Sequence, residues 1–182
     1  YSQEQTLVIR RRLSIDDRIR MCSELVNAST EPWVVWCDLN DESERLTAAI
    51  DGAIEVRGAD DADTKERRLA DFASGRARVL VSKASICGWG LNWQHAAHMA
   101  FVGVTDSFES YYQAVRRCWR FGQTRPVNVH LFTSPAEGAV LANLKRKEVA
   151  AREMSDSLGA ETRDAVMAEV AGSHRMTNQY HG

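Results

Sequence analysis

PWVVWCD, Pro32 to Asp38, is an apolar run with no polar residue inside it, bounded by a proline and an aspartate. A strand with one wet face alternates apolar and polar side chains. A run without alternation belongs to a strand covered on both faces, as in a parallel sheet flanked by helices. Four further largely apolar runs look like buried parallel strands: AIEVR (53–57), RVLVS (78–82), HMAFVGV (98–104) and VNVHLFT (127–133).

Helical patterns lie between these runs. Ser14 with Asp17 opens a helix near 14–27, and residues 41–51 form another, with Leu46 and Ile50 one turn apart. Asp63 with Glu66 reads as a capping box, with Leu69 and Phe72 on one face behind it. Asp106 with Glu109 opens the next helix, and Ser134-Pro135-Ala136-Glu137 places a capper, a proline and a glutamate at the start of a helical tail over about 136–172. Strand and helix in alternation predict an α/β fold with a mostly parallel central sheet and helices on both faces. The expected organisation is a helical segment over 1–30, the α/β body over 31–150, and a helical tail with a frayed polar end over 151–182.

Composition narrows the class. The 182 residues carry a net charge of −2, so any anion site is a local patch. No apolar run approaches the ~18–20 residues that span a bilayer, and no secretory signal opens the chain. The cysteines Cys22, Cys37, Cys87 and Cys118 form no CxxC pair and read as reduced thiols of a cytosolic protein. The start at Tyr1 suggests a piece of a longer chain.

In such a sheet ligands bind beyond the carboxyl ends of the strands. Arg57 and Gly58 follow the second run: either a cation beside a close backbone approach, or a plain turn before a capped helix. Ser82 and Lys83 leave the third run together, a hydroxyl and a cation suited to phosphate. Behind them Gly88 and Gly90 bracket Trp89, which could stack on a ligand or line an interface, whereas Trp93 reads as core. In QAVRRCWRFGQTRP (113–126), helical spacing puts Gln113, Arg117 and Arg120 on one face beside Arg116, with no acid between Glu109 and Glu137. Planar guanidinium forks meet phosphate oxygens two at a time, although an arginine-rich surface helix would look the same. Cys87, His95 and His98 lack a fourth ligand at zinc spacing, so both histidines read as packing or surface residues and no metal site is expected.

The stretch QAVRRCWRFGQTRPVNV resembles motif VI of the Swi/Snf-like branch of superfamily two helicases, Q-A-x-x-R-x-x-R-x-G-Q, at Gln113, Ala114, Arg117, Arg120, Gly122 and Gln123. SKASICGWGLNWQ resembles motif V, with G-x-G-[IL]-N at Gly88 to Asn92, and WVVWCDLNDES occupies the place of motif IV. The resemblance covers roughly 33–150 and is closest to helicase-like proteins of bacteriophages and prophages. It departs from the pattern at Arg116, where an acid is common, at Trp119, where a histidine is frequent, and in a longer Lys83–Gly90 loop.

The resemblance implies the second, C-terminal RecA-like lobe of an ATP-driven DNA helicase or translocase, a three-layer α/β unit. ATP and Mg2+ would sit between this lobe and an N-terminal RecA-like lobe of the same chain. Arg117 and Arg120 would be arginine fingers, with Gly90, Asn92 and Gln113 at the ATP cleft. Arg57, Gly58, Ser82 and Lys83 would meet the DNA backbone. The setting would be the cytoplasm of a bacterium or a phage-infected cell. No G-x-x-x-x-G-K-[ST] loop and no D-E-x-H motif occurs, so this chain alone is expected to bind no cofactor and to be inactive. The rival expectation is a stand-alone nucleic-acid-binding module that never meets ATP.

Overall fold

The computed structural model describes residues 5–10, 14–86, 92–103, 108–120, 122–134, 137–151, 153, 154 and 157. Six parallel strands form one sheet in the order β1-β6-β5-β2-β4-β3. They are β1 (Gln5–Arg10), β2 (Trp33–Cys37), β3 (Ala53–Val56), β4 (Val79–Lys83), β5 (His98–Val102) and β6 (Val127–Phe132). The helices are α1 (Ile15–Asn27), α2 (Asn40–Ala49), α3 (Ala62–Ala73) and α4 (Phe108–Val115). The chain divides into two compact units, Tyr1–Leu141, which holds the sheet, and Ala142–Gly182, whose described part is mostly helical. Among the described residues no helix is long and apolar enough to cross a membrane.

All five apolar runs contain strands, and β2 lies near the centre of the sheet, buried along its whole length. Its odd positions Trp33, Val35 and Cys37 face one layer with Ile19, Cys22 and Val26 of α1 and Leu46 of α2. On the other face Trp36 meets Trp93 and Phe101, with ring centroids 6.0 and 6.4 Å apart, and Phe72 of α3 stands edge-on to Trp93 at 5.4 Å. Trp93 is therefore core, as its sequence context suggests. Burial pushes the Cys37 thiol up to about 12 and raises those of Cys22 and Cys118 as well, so all three are inert at neutral pH.

Three local readings change. The segment before α1 contributes an edge strand, β1, where only helix was expected; it pairs with β6 alone. The cap of α3 is Asp61 and not Asp63: Asp61 Oδ1 accepts from Thr64 N at 2.8 Å, and Asp63 sits inside the first turn. Helix α4 ends at Val115, two residues before Arg117. The Ser14 cap of α1 stands as expected, with Asp17 N donating to Ser14 Oγ at 3.2 Å. Asp106 and most of the helical tail lie outside the described residues.

Candidate functional site

The carboxyl ends of β2, β4 and β5 are in register: Cys37 pairs with Lys83 on one side and with Val102 on the other. This brings Asp38, Lys83 and Gly103 to one edge. A cleft of about 70 Å³ opens there, lined by Trp36, Cys37, Asp38, Lys83, Ala84, Ser85, Phe101, Gly103, Ser110 and Tyr111. Lys83 is half-buried, lines the cleft together with Asp38, and makes no ion pair among the described residues.

Its neighbour behaves differently. Ser82 is fully buried, and its hydroxyl donates to Val56 O across to β3 at 2.8 Å. Strand alternation turns adjacent side chains to opposite faces, so Ser82 and Lys83 do not present a joint hydroxyl–cation pair. Ser82 ties β4 to β3 here.

The next loop is latched from below. Arg57 pairs with Glu55 at 2.7 Å and Glu44 at 3.2 Å, so its guanidinium is already engaged, and Glu55 holds its pKa above the ordinary value. Gly58 O accepts from Lys65 Nζ at 2.8 Å. Nothing in the backbone at Gly58 requires glycine, and an added Cβ would meet Ile86 only at an ordinary 3.8 Å. The close approach expected from this glycine is therefore not demanded by the fold.

The arginines of the 113–126 stretch sit on a turn. After Arg116 N to Tyr112 O the bonding tightens through Arg117 N to Ala114 O and Cys118 N to Val115 O, both 3.2 Å, with one further four-residue bond from Trp119 N to Val115 O at 3.0 Å. The Arg117 carbonyl is taken by Trp93 N at 2.9 Å, and Cys118 is fully buried. The segment is thus packed as a turn, and the expected single helical face for Gln113, Arg117 and Arg120 does not form. Gln113 is half-buried on α4, Arg117 is 9% exposed, and Arg120 is half-buried. Arg116 is exposed, with its guanidinium 5.8 Å from the Tyr112 ring and 5.9 Å from the Trp119 ring.

Asn92 is exposed at the start of the loop that leads to β5. Cys87, Gly88, Trp89 and Gly90 lie outside the described residues. His95 packs at a tilt against Phe72 at 4.9 Å and His98 stacks on Trp33 at 4.8 Å, and burial lowers the pKa of both. Among the described residues no three His, Cys, Asp or Glu side chains converge as a metal-binding group.

Sequence reasoning gave Gln123 only a motif position. In the structure it is 7% exposed, and its amide meets three carbonyls: Gln94 at 3.0 Å, and Ala96 and Cys118 at 3.2 Å. Gly122 beside it has φ +94°, and a Cβ there would come within 3.0 Å of Gln94 Nε2. The left-handed backbone conformation is what favours glycine there.

Comparison with known proteins finds the family model "Helicase conserved C-terminal domain" matching residues 17–122. The ATP-dependent DNA helicase Q4 of Homo sapiens is 28% identical over 62% of this chain and 10% of its own length. A bifunctional helicase and thymine dioxygenase JBP2 of Leishmania braziliensis is 27% identical over 58% of this chain and 10% of its own length. The chain thus spans about a tenth of these relatives. Among solved structures, the RNA helicase Prp28 from Chaetomium thermophilum bound to ADP superposes with a TM-score of 0.69 at 18% identity, covering 84% of this chain and 38% of that one. Domain 2 of the DEAD-box helicase Mss116p, bound to an RNA duplex, gives 0.67 at 12% identity, over 79% and 60%. These likenesses carry the fold, a RecA-like lobe.

Proposed function

Since the chain belongs to the family of the helicase conserved C-terminal domain, we propose that it is the second motor lobe of an ATP-dependent DNA helicase or translocase. The observation that carries the reading is the packing of the two long motifs on one body: Trp93 and Gln94, at the end of the loop after β4, are bonded to the turn that carries Arg117 and Arg120 and to Gln123 behind it. The match to Q-A-x-x-R-x-x-R-x-G-Q supports the Swi/Snf-like branch, near phage and prophage proteins, acting in the cytoplasm of a bacterium or an infected cell.

ATP and Mg2+ would be held between this lobe and an N-terminal RecA-like lobe. The groups here that suit a triphosphate are the guanidinium ions of Arg117 and Arg120, with Gln113, Gly90 and Asn92 along the cleft. When bound, ATP supplies a transferable phosphoryl group whose charge spreads over its oxygens in the transition state. Neither a phosphate loop nor a magnesium carboxylate motif occurs in these 182 residues. The isolated chain is therefore expected to show no ATP turnover, with or without DNA. Turnover that co-purifies with the chain and is abolished by a substitution within it would refute this.

Lys83 is the residue we assign to the DNA backbone, with the Arg57–Gly58 loop alongside; Ser82 holds the strand end beneath it. A phosphate contact carries no sequence information. In the two-lobe protein Lys83→Ala is expected to weaken DNA binding about equally on unrelated sequences and to reduce the salt slope by roughly one counterion. Titrations of two unrelated duplexes at several salt concentrations check this. A loss confined to one sequence would contradict the assignment.

A further inference from the structure

Four consecutive carbonyls, those of residues 94–97, all accept hydrogen bonds from the segment 123–128. Gln94 O and Ala96 O accept from Gln123 Nε2 at 3.0 and 3.2 Å, His95 O from Arg125 Nη2 at 2.7 Å, and Ala97 O from Asn128 N at 2.8 Å. Gln123 reaches the other way as well. Its Nε2 lies 3.2 Å from Cys118 O, its backbone N donates to Arg120 O at 3.0 Å, and its Oε1 accepts from Arg125 N at 3.1 Å. Trp93 N closes the circuit on Arg117 O at 2.9 Å. One buried amide therefore touches both the loop after β4 and the turn that carries Arg117 and Arg120. A primary amide has two hydrogens to share among its acceptors and one oxygen that accepts. No apolar side chain of its size can replace that pattern. The bonds from Arg125, Asn128 and Trp93 hold the two segments together independently of it, so the amide fixes alignment more than attachment.

We propose that Gln123 is a positioning residue: its amide sets the Arg117–Arg120 turn against residues 94–96 and so fixes where the two guanidinium groups are presented. The inference rests on the reading of those arginines as ATP-facing. Gln123 itself would touch neither ATP nor DNA.

The test is a double-variant cycle on the two-lobe protein, reading DNA-stimulated ATP turnover for Gln123→Met, Arg120→Lys and the pair. Gln123→Met is expected to lower kcat by about 10²-fold, the scale of a small misplacement. KM for ATP and the affinity for DNA should stay nearly unchanged, because an interaction made only in the transition state is lost. In the Arg120→Lys background Gln123→Met should add little, since both act on one contact. Multiplying losses, or a parallel rise in KM, would overturn the proposal. If Arg120→Lys lowers kcat and Gln123→Met does not, the proposal alone fails. If Arg120→Lys is itself silent, the reading of the arginines fails. Should Gln123→Met lose its cooperative thermal transition, Gln123→Asn, which keeps the amide one methylene shorter, takes its place. Unfolding of both would overturn the proposal by making the amide a determinant of the fold.

Discussion

Replacing Arg120 by lysine in the two-lobe protein is expected to cut DNA-stimulated ATP turnover by about 10³-fold or more, the scale on which an arginine finger acts. Lysine keeps the positive charge and loses the planar fork, so the substitution removes bidentate contact and little else. Arg120 is half-buried on an irregular turn whose carbonyl is held by Gln123 N at 3.0 Å. The backbone that carries it is thus fixed while the side chain can be presented at a lobe interface. Arg117 is expected to behave in the same way, although it is only 9% exposed in this lobe. The fold and most of the DNA affinity should survive both changes. Steady-state turnover with saturating DNA, alongside thermal unfolding, checks the pair. Turnover within a few-fold of the parent in both variants would make these arginines packing residues.

The second large effect concerns stability. Glu42 is 1% exposed at the start of α2, and its Oε2 accepts from Asp38 N at 3.1 Å and Leu39 N at 3.0 Å. Its Oε1 lies 3.4 Å from Arg18, which also reaches Glu137 at 3.3 Å. The three side chains join α1, α2 and the segment after β6. Gly103, with φ +87°, lies directly against them; a Cβ there would fall 3.1 Å from Arg18 Nη1. Glu42→Ala removes the acceptor of two helix-end N–H groups and leaves a largely buried guanidinium with one carboxylate. Breaking a buried pair by deleting one partner costs about 3–5 kcal/mol, a large part of the ~5–15 kcal/mol that holds a domain together. Glu42→Gln keeps both acceptor sites for the helix and should cost clearly less. Urea unfolding of the 182-residue chain measures both. A Glu42→Ala loss below about 1 kcal/mol, the scale of an exposed pair, would show that the triad contributes little.

Much of this was legible in the residues, for identifiable reasons. The central strands announce themselves because burial on both faces removes alternation, and Trp33–Cys37 is the extreme case. β1 escaped because an edge strand needs no such run; QTLVIR is fixed by pairing with β6 on one side only. The cap of α3 was misplaced by two residues because Asp60, Asp61 and Asp63 compete, and Asp60 instead serves Arg57 N and Arg68. The end of α4 could not be read locally. Nothing in VRRCWR breaks a helix; the turn there is packed by distant groups, with Trp93 N on the Arg117 carbonyl and Cys118 fully buried. The partner of Ser82 could not be read locally either. A serine beside a lysine at a strand end looks like a phosphate pair until the partner of its hydroxyl, Val56 O on the next strand, is known.

The most direct test of the central claim is a structure of the two-lobe protein on DNA with ADP and aluminium fluoride. The account predicts the Arg120 guanidinium at charge-assisted hydrogen-bond distance, about 2.7–2.9 Å, from the phosphoryl mimic, with Arg117 beside it. A nucleotide held entirely by the other lobe, with both arginines turned away from it, would contradict the account.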